Sequence, residues 1–254
     1  MKNLKSYKPK NGLVLVLKSV KPDMTAGYNG IFLWPEKGRC SAPDWKPINE
    51  CGYGLHGWKW GEGDADLRVK EEGAKWLVLS VLETAIIDLS GKVKFPECEV
   101  LFVGEMADAV LIIQEHAPIG NKCIFGTATA GESGTATAGD GGTATAGESG
   151  TATAGDGGTA TAGESGTATA GDSGTATAGY RGTATAGDRG TATAGYRGTA
   201  TAGSEGVITI KYYDRKTETY KRKTAMVDGI TILPGVKYRI DDSYEFEPVN
   251  ETVA

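Results

Sequence analysis

The chain has 254 residues, a formal net charge of −5, 39% hydrophobic residues and 8% aromatics. An acidic balance with no basic stripe argues against nucleic acid as a partner. The Leu13–Leu17 apolar run follows a Lys-rich start and is too short for a signal peptide or membrane span, so a cytoplasmic protein without membrane association is expected.

Residues 1–125 hold all five tryptophans, all four cysteines and both histidines, and are long enough to bury their own core. Apolar runs at Gly12–Leu17, Trp76–Leu82 and Val100–Val103 read as strands, whereas Ala107–Gln114 fits either a strand or a short helix. Clusters of Pro, Gly and charge at 35–47 and 61–73 read as loops. An α+β or β-rich globular domain is therefore expected over 1–125.

Chemistry is sparse in this region. Cys40, Cys51, Cys98 and Cys123 lack Cys-x-x-Cys spacing, so no zinc site is expected, and a reducing compartment is the default. The richest stretch runs from Cys51 through His56 to Trp58, Trp60 and Asp64. Cys51 and His56 are candidates for a thiol–imidazole pair, because such catalysis needs a thiolate with a base in hydrogen-bond reach. Trp58 and Trp60 would complete that pocket. The alternative is a glycine-rich turn that packs His56 and both tryptophans into a domain core. His116 reads as a loop residue with nothing to recommend it as a ligand. No glycine cluster matches a phosphate-binding loop, since Gly-Lys-Ser/Thr is missing. No catalytic residue, metal or cofactor is assigned.

Ten consecutive octads fill 126–205, each reading Gly-Thr-Ala-Thr-Ala-Gly plus two variable residues. A repeat this strict means one small unit laid down over and over. The first variable residue reads Glu132, Asp140, Glu148, Asp156, Glu164, Asp172, Tyr180, Asp188, Tyr196, Ser204. Asp recurs at every second octad until Ser204, so the unit is 16 residues and there are five of them. Strand alternation sends both Thr of each octad to one face and both Ala to the other. The Gly-x-x-Gly segments are expected to supply permissive backbone for a corner. Strand, corner, strand, corner closes one coil of a flattened β-solenoid, with coils stacked at roughly 4.8 Å. By composition the segment also reads as a flexible linker, and an antiparallel meander or a trimeric fibre-like winding fits the octads. The two periodicities argue against a linker, and a solenoid lets two Ala faces pack together.

Thr should face outward, because a buried hydroxyl without a partner costs roughly 1–3 kcal/mol. The candidate ligand surface is thus Thr127 and Thr129, Thr135 and Thr137, Thr143 and Thr145, Thr151 and Thr153, and Thr159 and Thr161. It continues through Thr167 and Thr169, Thr175 and Thr177, Thr183 and Thr185, Thr191 and Thr193, and Thr199 and Thr201. The acidic corners Glu132, Asp140, Glu148, Asp156, Glu164 and Asp172 are a second candidate surface. Charges balance at 16 against 16 in 1–125 and 8 against 8 in 206–254, so the net −5 sits in the repeat. Arg181, Arg189 and Arg197 fall in its last two coils. Residues 206–254 alternate again at Val207–Ile210, Thr217–Tyr220, Val236–Ile240 and Tyr244–Phe246, which predicts a small β-rich cap. Open solenoid ends template aggregation, so both flanking segments are expected to seal the stack.

The Cys51-Gly52-Tyr53-Gly54-Leu55-His56 segment and the strands after it resemble uncharacterised phage and prophage proteins. There a Gly-Leu-His or Gly-Phe-His segment precedes Gly/Ala/Thr-rich octads and a small C-terminal domain. The repeat over 126–205 is also similar to that of bacterial ice-nucleation proteins, with Thr-x-Thr strands, stacked Gly-Tyr corners at Tyr180 and Tyr196, and late arginines. That family carries dozens of coils. The first resemblance implies a non-enzymatic solenoid in the host cytoplasm, a rigid spacer or recognition surface for a protein or other macromolecule such as a host factor. The second implies ice binding through the Thr-x-Thr ladders. A third expectation is an enzyme seated around His56. A homo-oligomer is compatible with each.

Overall fold

The structure is a computed structural model that describes residue 9, residues 12–27 and residues 32–249. Apart from Pro9, the Lys-rich start before Gly12 lies outside the described residues. The chain divides into two compact units, Met1–Gly126 and Thr127–Ala254.

The first unit contains β1 (Leu13–Val20), β2 (Thr25–Ala26), β3 (Phe32–Leu33), β4 (Gly38–Ser41), β5 (Leu55–Lys59), β6 (Lys75–Leu82), β7 (Ile87–Asp88), β8 (Val93–Phe95), β9 (Glu97–Gly104) and α1 (Met106–His116). Seven strands form one antiparallel sheet in the order β4-β9-β6-β1-β5-β8-β7. β1 pairs along its whole length with β6, from Leu13 opposite Leu82 to Val20 opposite Lys75. Alternation gives the sheet two cores. Leu15 and Leu17 pack with Val78, Trp58, Trp76 and the buried Ala109, Val110 and Ile113 of α1. Val14 and Val16 turn to the other face, with Leu77, Leu79, Phe95 and Trp34. With both faces covered, Leu13–Leu17 of β1 reads as an unbroken apolar run rather than an alternating one.

The segment at Ala107–Gln114 is helix, with its buried residues three and four apart as a helical face requires. His116 is the last residue of that helix and not a loop residue, its Nδ1 lying 2.8 Å from the Ile112 carbonyl. The loop expected at 35–47 contains β4. Its sequence, Gly-Arg-Cys-Ser, carries no apolar pattern because β4 is an edge strand, paired with β9 alone.

The second unit begins with ten octad strands: β10 (Thr127–Ala130), β11 (Thr135–Thr137), β12 (Thr143–Ala146), β13 (Thr151–Ala154), β14 (Thr159–Ala162), β15 (Thr167–Ala170), β16 (Thr175–Ala178), β17 (Thr183–Ala186), β18 (Thr191–Ala194) and β19 (Thr199–Thr201). Then come β20 (Val207–Asp214), β21 (Thr219–Met226), β22 (Tyr238–Ile240) and β23 (Phe246–Pro248). Each octad strand from β10 to β18 pairs in parallel with the strand sixteen residues on, as Thr143 with Thr159 and Thr151 with Thr167. Even-numbered strands therefore build one sheet and odd-numbered strands the other. This is a two-strand-per-coil β-solenoid, and neither a linker, a meander nor a three-chain winding.

The alanines pack between the two sheets, with Ala144, Ala152, Ala160, Ala168 and Ala176 fully buried. Winding does not stop with the octads. β20 adds in parallel to β18, and its buried Ile208 and Ile210 take the places of the alanines. Strand direction then reverses: β21 pairs antiparallel with β20, β22 with β19, and β23 with β22. Val227, Ile232 and Tyr238 join the interior at this end. The outermost strand of the even sheet, β21, carries Lys221, Arg222 and Lys223, charges that oppose further strand addition.

Candidate functional site

The threonines stand in rows, because parallel in-register pairing puts like residues over like. On the even sheet one row is Thr129, Thr145, Thr161, Thr177 and Thr193, and β20 extends it with Thr209. The companion row of Thr127, Thr143, Thr159, Thr175 and Thr191 ends at Val207. Thr143 and Thr145 are exposed, whereas Thr191 and Thr193 are half-buried. The odd sheet carries Thr135, Thr151, Thr167, Thr183 and Thr199 beside Thr137, Thr153, Thr169, Thr185 and Thr201. Its rows differ at the end. Thr201 is only 8% exposed and its Oγ1 makes no hydrogen bond. The Thr199 hydroxyl donates to Thr183 Oγ1 at 3.3 Å, so these two rungs satisfy each other.

The corners between the rows are β-turns. The Gly150 N–H donates to the Gly147 carbonyl at 3.2 Å, and the same bond recurs at Gly166 and Gly174. The left-handed residue of each turn is the second variable one: Ser133, Ser149, Ser165, Ser173, Arg181, Arg189, Arg197 and Glu205 have φ between 55° and 61°. Only Gly141 and Gly157 are glycines at that position. The flanking glycines are thus not there for conformational freedom, contrary to the sequence expectation. They are there for close approach. A Cβ on Gly163 would sit 2.8 Å from Glu148 N and from the Gly147 carbonyl carbon of the coil beneath.

The six acidic corners divide between two edges. Asp140, Asp156 and Asp172 follow odd strands, and their carboxylates stitch coil to coil. Oδ1 of Asp140 accepts from Asp156 N at 3.1 Å, that of Asp156 from Asp172 N at 2.9 Å, and that of Asp172 from Asp188 N at 2.9 Å. Asp188 continues the ladder to Ser204 N at 2.8 Å. Glu132, Glu148 and Glu164 follow even strands and are exposed on the other edge. Further along that edge the rings of Tyr180 and Tyr196 lie 6.0 Å apart, tilted by 34°, and Tyr196 meets Tyr220 of β21 edge-on at 5.5 Å. Arg181 and Arg197 lie over the rings of Tyr180 and Tyr196 at 5.3 and 5.2 Å.

The residues around His56 do not assemble as a thiol–imidazole pair. His56 Nε2 accepts from Gly52 N at 3.4 Å, while the exposed Cys51 thiol accepts from Lys92 Nζ at 3.0 Å. Burial, and then Lys92, Lys18 and Lys94, lower the His56 pKa to about 4, so the ring is neutral at pH 7. Trp58 belongs to the helix-side core, stacked on Trp76 at 6.0 Å, with its indole N–H donating to the Asp64 carbonyl at 3.1 Å. Trp60 is half-buried against both cores. Sequence reasoning missed Lys94, which is fully buried and donates from Nζ to the Glu50 carbonyl at 2.8 Å. It also missed that Cys40 and Cys98 face each other across β4 and β9. Neither carries a local signal, because both depend on strand register. Among the described residues no three His, Cys, Asp or Glu side chains converge as a metal site would need, and no helix is long and apolar enough to cross a membrane.

The repeat has recognisable relatives. It is similar to bacterial ice nucleation proteins. The ice nucleation protein InaU of Pantoea ananas is 35% identical over 109 residues, which is 42% of this chain and 10% of that protein. That of Xanthomonas campestris pv. translucens is 52% identical over 108 residues, covering 42% of this chain and 7% of the relative. That of Pseudomonas fluorescens is 32% identical over 116 residues, 45% of this chain and 9% of the relative. The chain therefore spans a tenth or less of the length of these proteins. No family model matches it, and no solved structure does.

Proposed function

We propose that the solenoid is an ice-binding module and that it binds through the Thr rows of the even sheet. The observation that carries this is the unbroken Thr129 to Thr209 ladder, held in register by parallel pairing and extended by the first strand after the octads. Hydroxyls and methyls fixed at about 4.8 Å between coils and about 6.6 Å along a strand form a rigid, flat lattice that can order water before ice meets it. The relatives that share the repeat bear the name ice nucleation protein. Five coils present a small face, so the activity is binding to existing ice rather than starting it.

The even sheet is the better face because its Thr129 row runs on through Thr209, whose hydroxyl pairs with that of Thr224 on β21 at 2.9 Å, whereas the odd row ends at the buried Thr201. A binding scaffold of phage type, using the Thr rows or the acidic corners, is the second reading and has less to support it. One oxygen of each Asp carboxylate is engaged in the ladder, whereas the Glu carboxylates stand exposed on the other edge.

Thermal hysteresis and ice-crystal shaping of the full chain at micromolar concentration test the proposal. Thr145→Gln with Thr161→Gln should abolish both effects, while Thr153→Gln with Thr169→Gln on the odd sheet should leave most activity. Gln at Glu132, Glu148 and Glu164 should change nothing. A wild-type chain with a β-type circular dichroism spectrum and no hysteresis overturns the reading, and equal losses from the two sheets would overturn the choice of face.

A further inference from the structure

Cys40 and Cys98 are directly opposite partners in the antiparallel β4–β9 pair, and their Sγ atoms lie 3.3 Å apart. Opposed residues of such a pair have Cα atoms about 4.5–5.5 Å apart, within the roughly 4.4–6.8 Å that a disulfide spans. β4 is the outer strand of the sheet, with Cys40 half-exposed on it, whereas Cys98 is buried. Cys40 is thus the more accessible of the two and Cys98 the shielded one. The remaining cysteines are arranged differently: Cys51 is exposed beside Lys92, and Cys123 is buried near the Ile124 carbonyl.

We propose that Cys40 and Cys98 are a redox-active dithiol site whose co-substrate is a low-molecular-weight disulfide. The Cys98 S–H hydrogen bond favours the Cys40 thiolate and holds its pKa below the ordinary thiol value. The same bond, with burial, pushes Cys98 far up, so Cys98 keeps its proton until Cys40 has reacted. Cys40 Sγ attacks one sulfur of the small disulfide; the Cys40–S bond forms, the external S–S bond breaks, and one thiolate leaves. Cys98 then gives up its proton, attacks Cys40 Sγ and expels the second thiolate. The two protein thiols are oxidised, two small thiols are produced, and the two protons end on them. The bridge ties the outer strand β4 to β9 and pins the start of the 42–54 segment that leads to β5.

The full-length chain carrying Cys51→Ser, equilibrated with glutathione disulfide and then denatured and alkylated, tests this. The expected result is loss of two alkylatable thiols, a mass lower by two hydrogens, and a peptide linking residues 40 and 98. Cys98→Ser in that background should instead trap one glutathione on Cys40, and Cys40→Ser should leave Cys98 reduced. The proposal is overturned if both thiols stay alkylatable while the unmodified chain takes up glutathione on Cys51. It is equally overturned if Cys98→Ser yields no adduct at Cys40 in protein whose circular dichroism matches the parent.

Discussion

β1 of the N-terminal unit buries Leu15 and Leu17 on one face and Val14 and Val16 on the other, whereas the buried side chains of the octad strands, Thr201 apart, are single methyl groups. A fully buried Leu contributes about 1.5–3 kcal/mol and a methyl about 0.8 kcal/mol. The solenoid core is therefore thin per residue. It compensates by repetition: parallel ladders, stacked turn-to-turn backbone bonds such as Ser149 N to the Glu164 carbonyl at 2.8 Å, and the Asp stitches all recur coil after coil. The first unit is held by side-chain volume and the second by register. The two should fail in different ways.

The largest contrast should come from breaking register. Deleting Gly142–Ser149 sends every later strand to the other sheet, sets Glu164 over Asp140 and delivers β20 to the odd strands. Loss of cooperative unfolding or of solubility is expected. Deleting Gly142–Gly157 removes one whole coil and should leave a single cooperative melt with a slightly lower Tm. Equal tolerance of both deletions would show that register is not what holds this unit.

Volume comes next. Leu79→Ala empties a fully buried site of the N-terminal unit and should cost about 2–5 kcal/mol in denaturant unfolding. Ala160→Leu overfills the solenoid and should cost about 1–3 kcal/mol, while Thr159→Leu, at an exposed position, should stay within roughly 0.5 kcal/mol. A smaller loss from Ala160→Leu than from Thr159→Leu would mean that the faces are reversed.

A smaller difference separates the two corner edges. Asp156→Ala removes the acceptor for Asp172 N and should lose about 1 kcal/mol, seen also as faster exchange of the Asp172 amide. Glu148→Ala, on the exposed edge, should be within roughly 0.5 kcal/mol of the parent.

The smallest effect is a pH response confined to the N-terminal unit. Because His56 is held at about 4 in the fold, below the ordinary value of about 6.5, the unfolded chain takes up the proton first as pH falls. Stability is thus present above pH 6.5 and lost progressively toward pH 4. After allowance for the half-exposed ring, the loss is of order 1 kcal/mol. Thermal melts at pH 7 and pH 5 should show it, and His56→Gln should remove most of it. A fall of equal size in the variant would place the titration elsewhere.

The octads made the solenoid legible because every rule they obey is local. Alternation placed Ala inside, and the recurrence of Asp at 16 residues identified the coil. The same locality misled at the corners. Glycines beside a turn suggest torsional freedom, yet Gly147 and Gly163 are glycine because the coil below is too close for a Cβ, a fact about stacking that no single octad contains. The N-terminal unit was legible only in its long strands. β4 was missed because an edge strand need not alternate, and α1 was ambiguous because Ala-Asp-Ala-Val-Leu-Ile-Ile-Gln satisfies both periods over eight residues.

Periodicity alone determined that this chain would wind, how many residues make a coil, and that rows of hydroxyls would face water, since those follow from a side-chain period of two and a repeat of sixteen. Tertiary structure decided which Thr rows run on and which end at a buried rung, which acids stitch the stack and which stand free of it, and which two cysteines of four are brought within reach. Each of these depends on where the chain returns after 16, or 58, or more residues, and that distance is set by strand pairing rather than by any neighbouring residue.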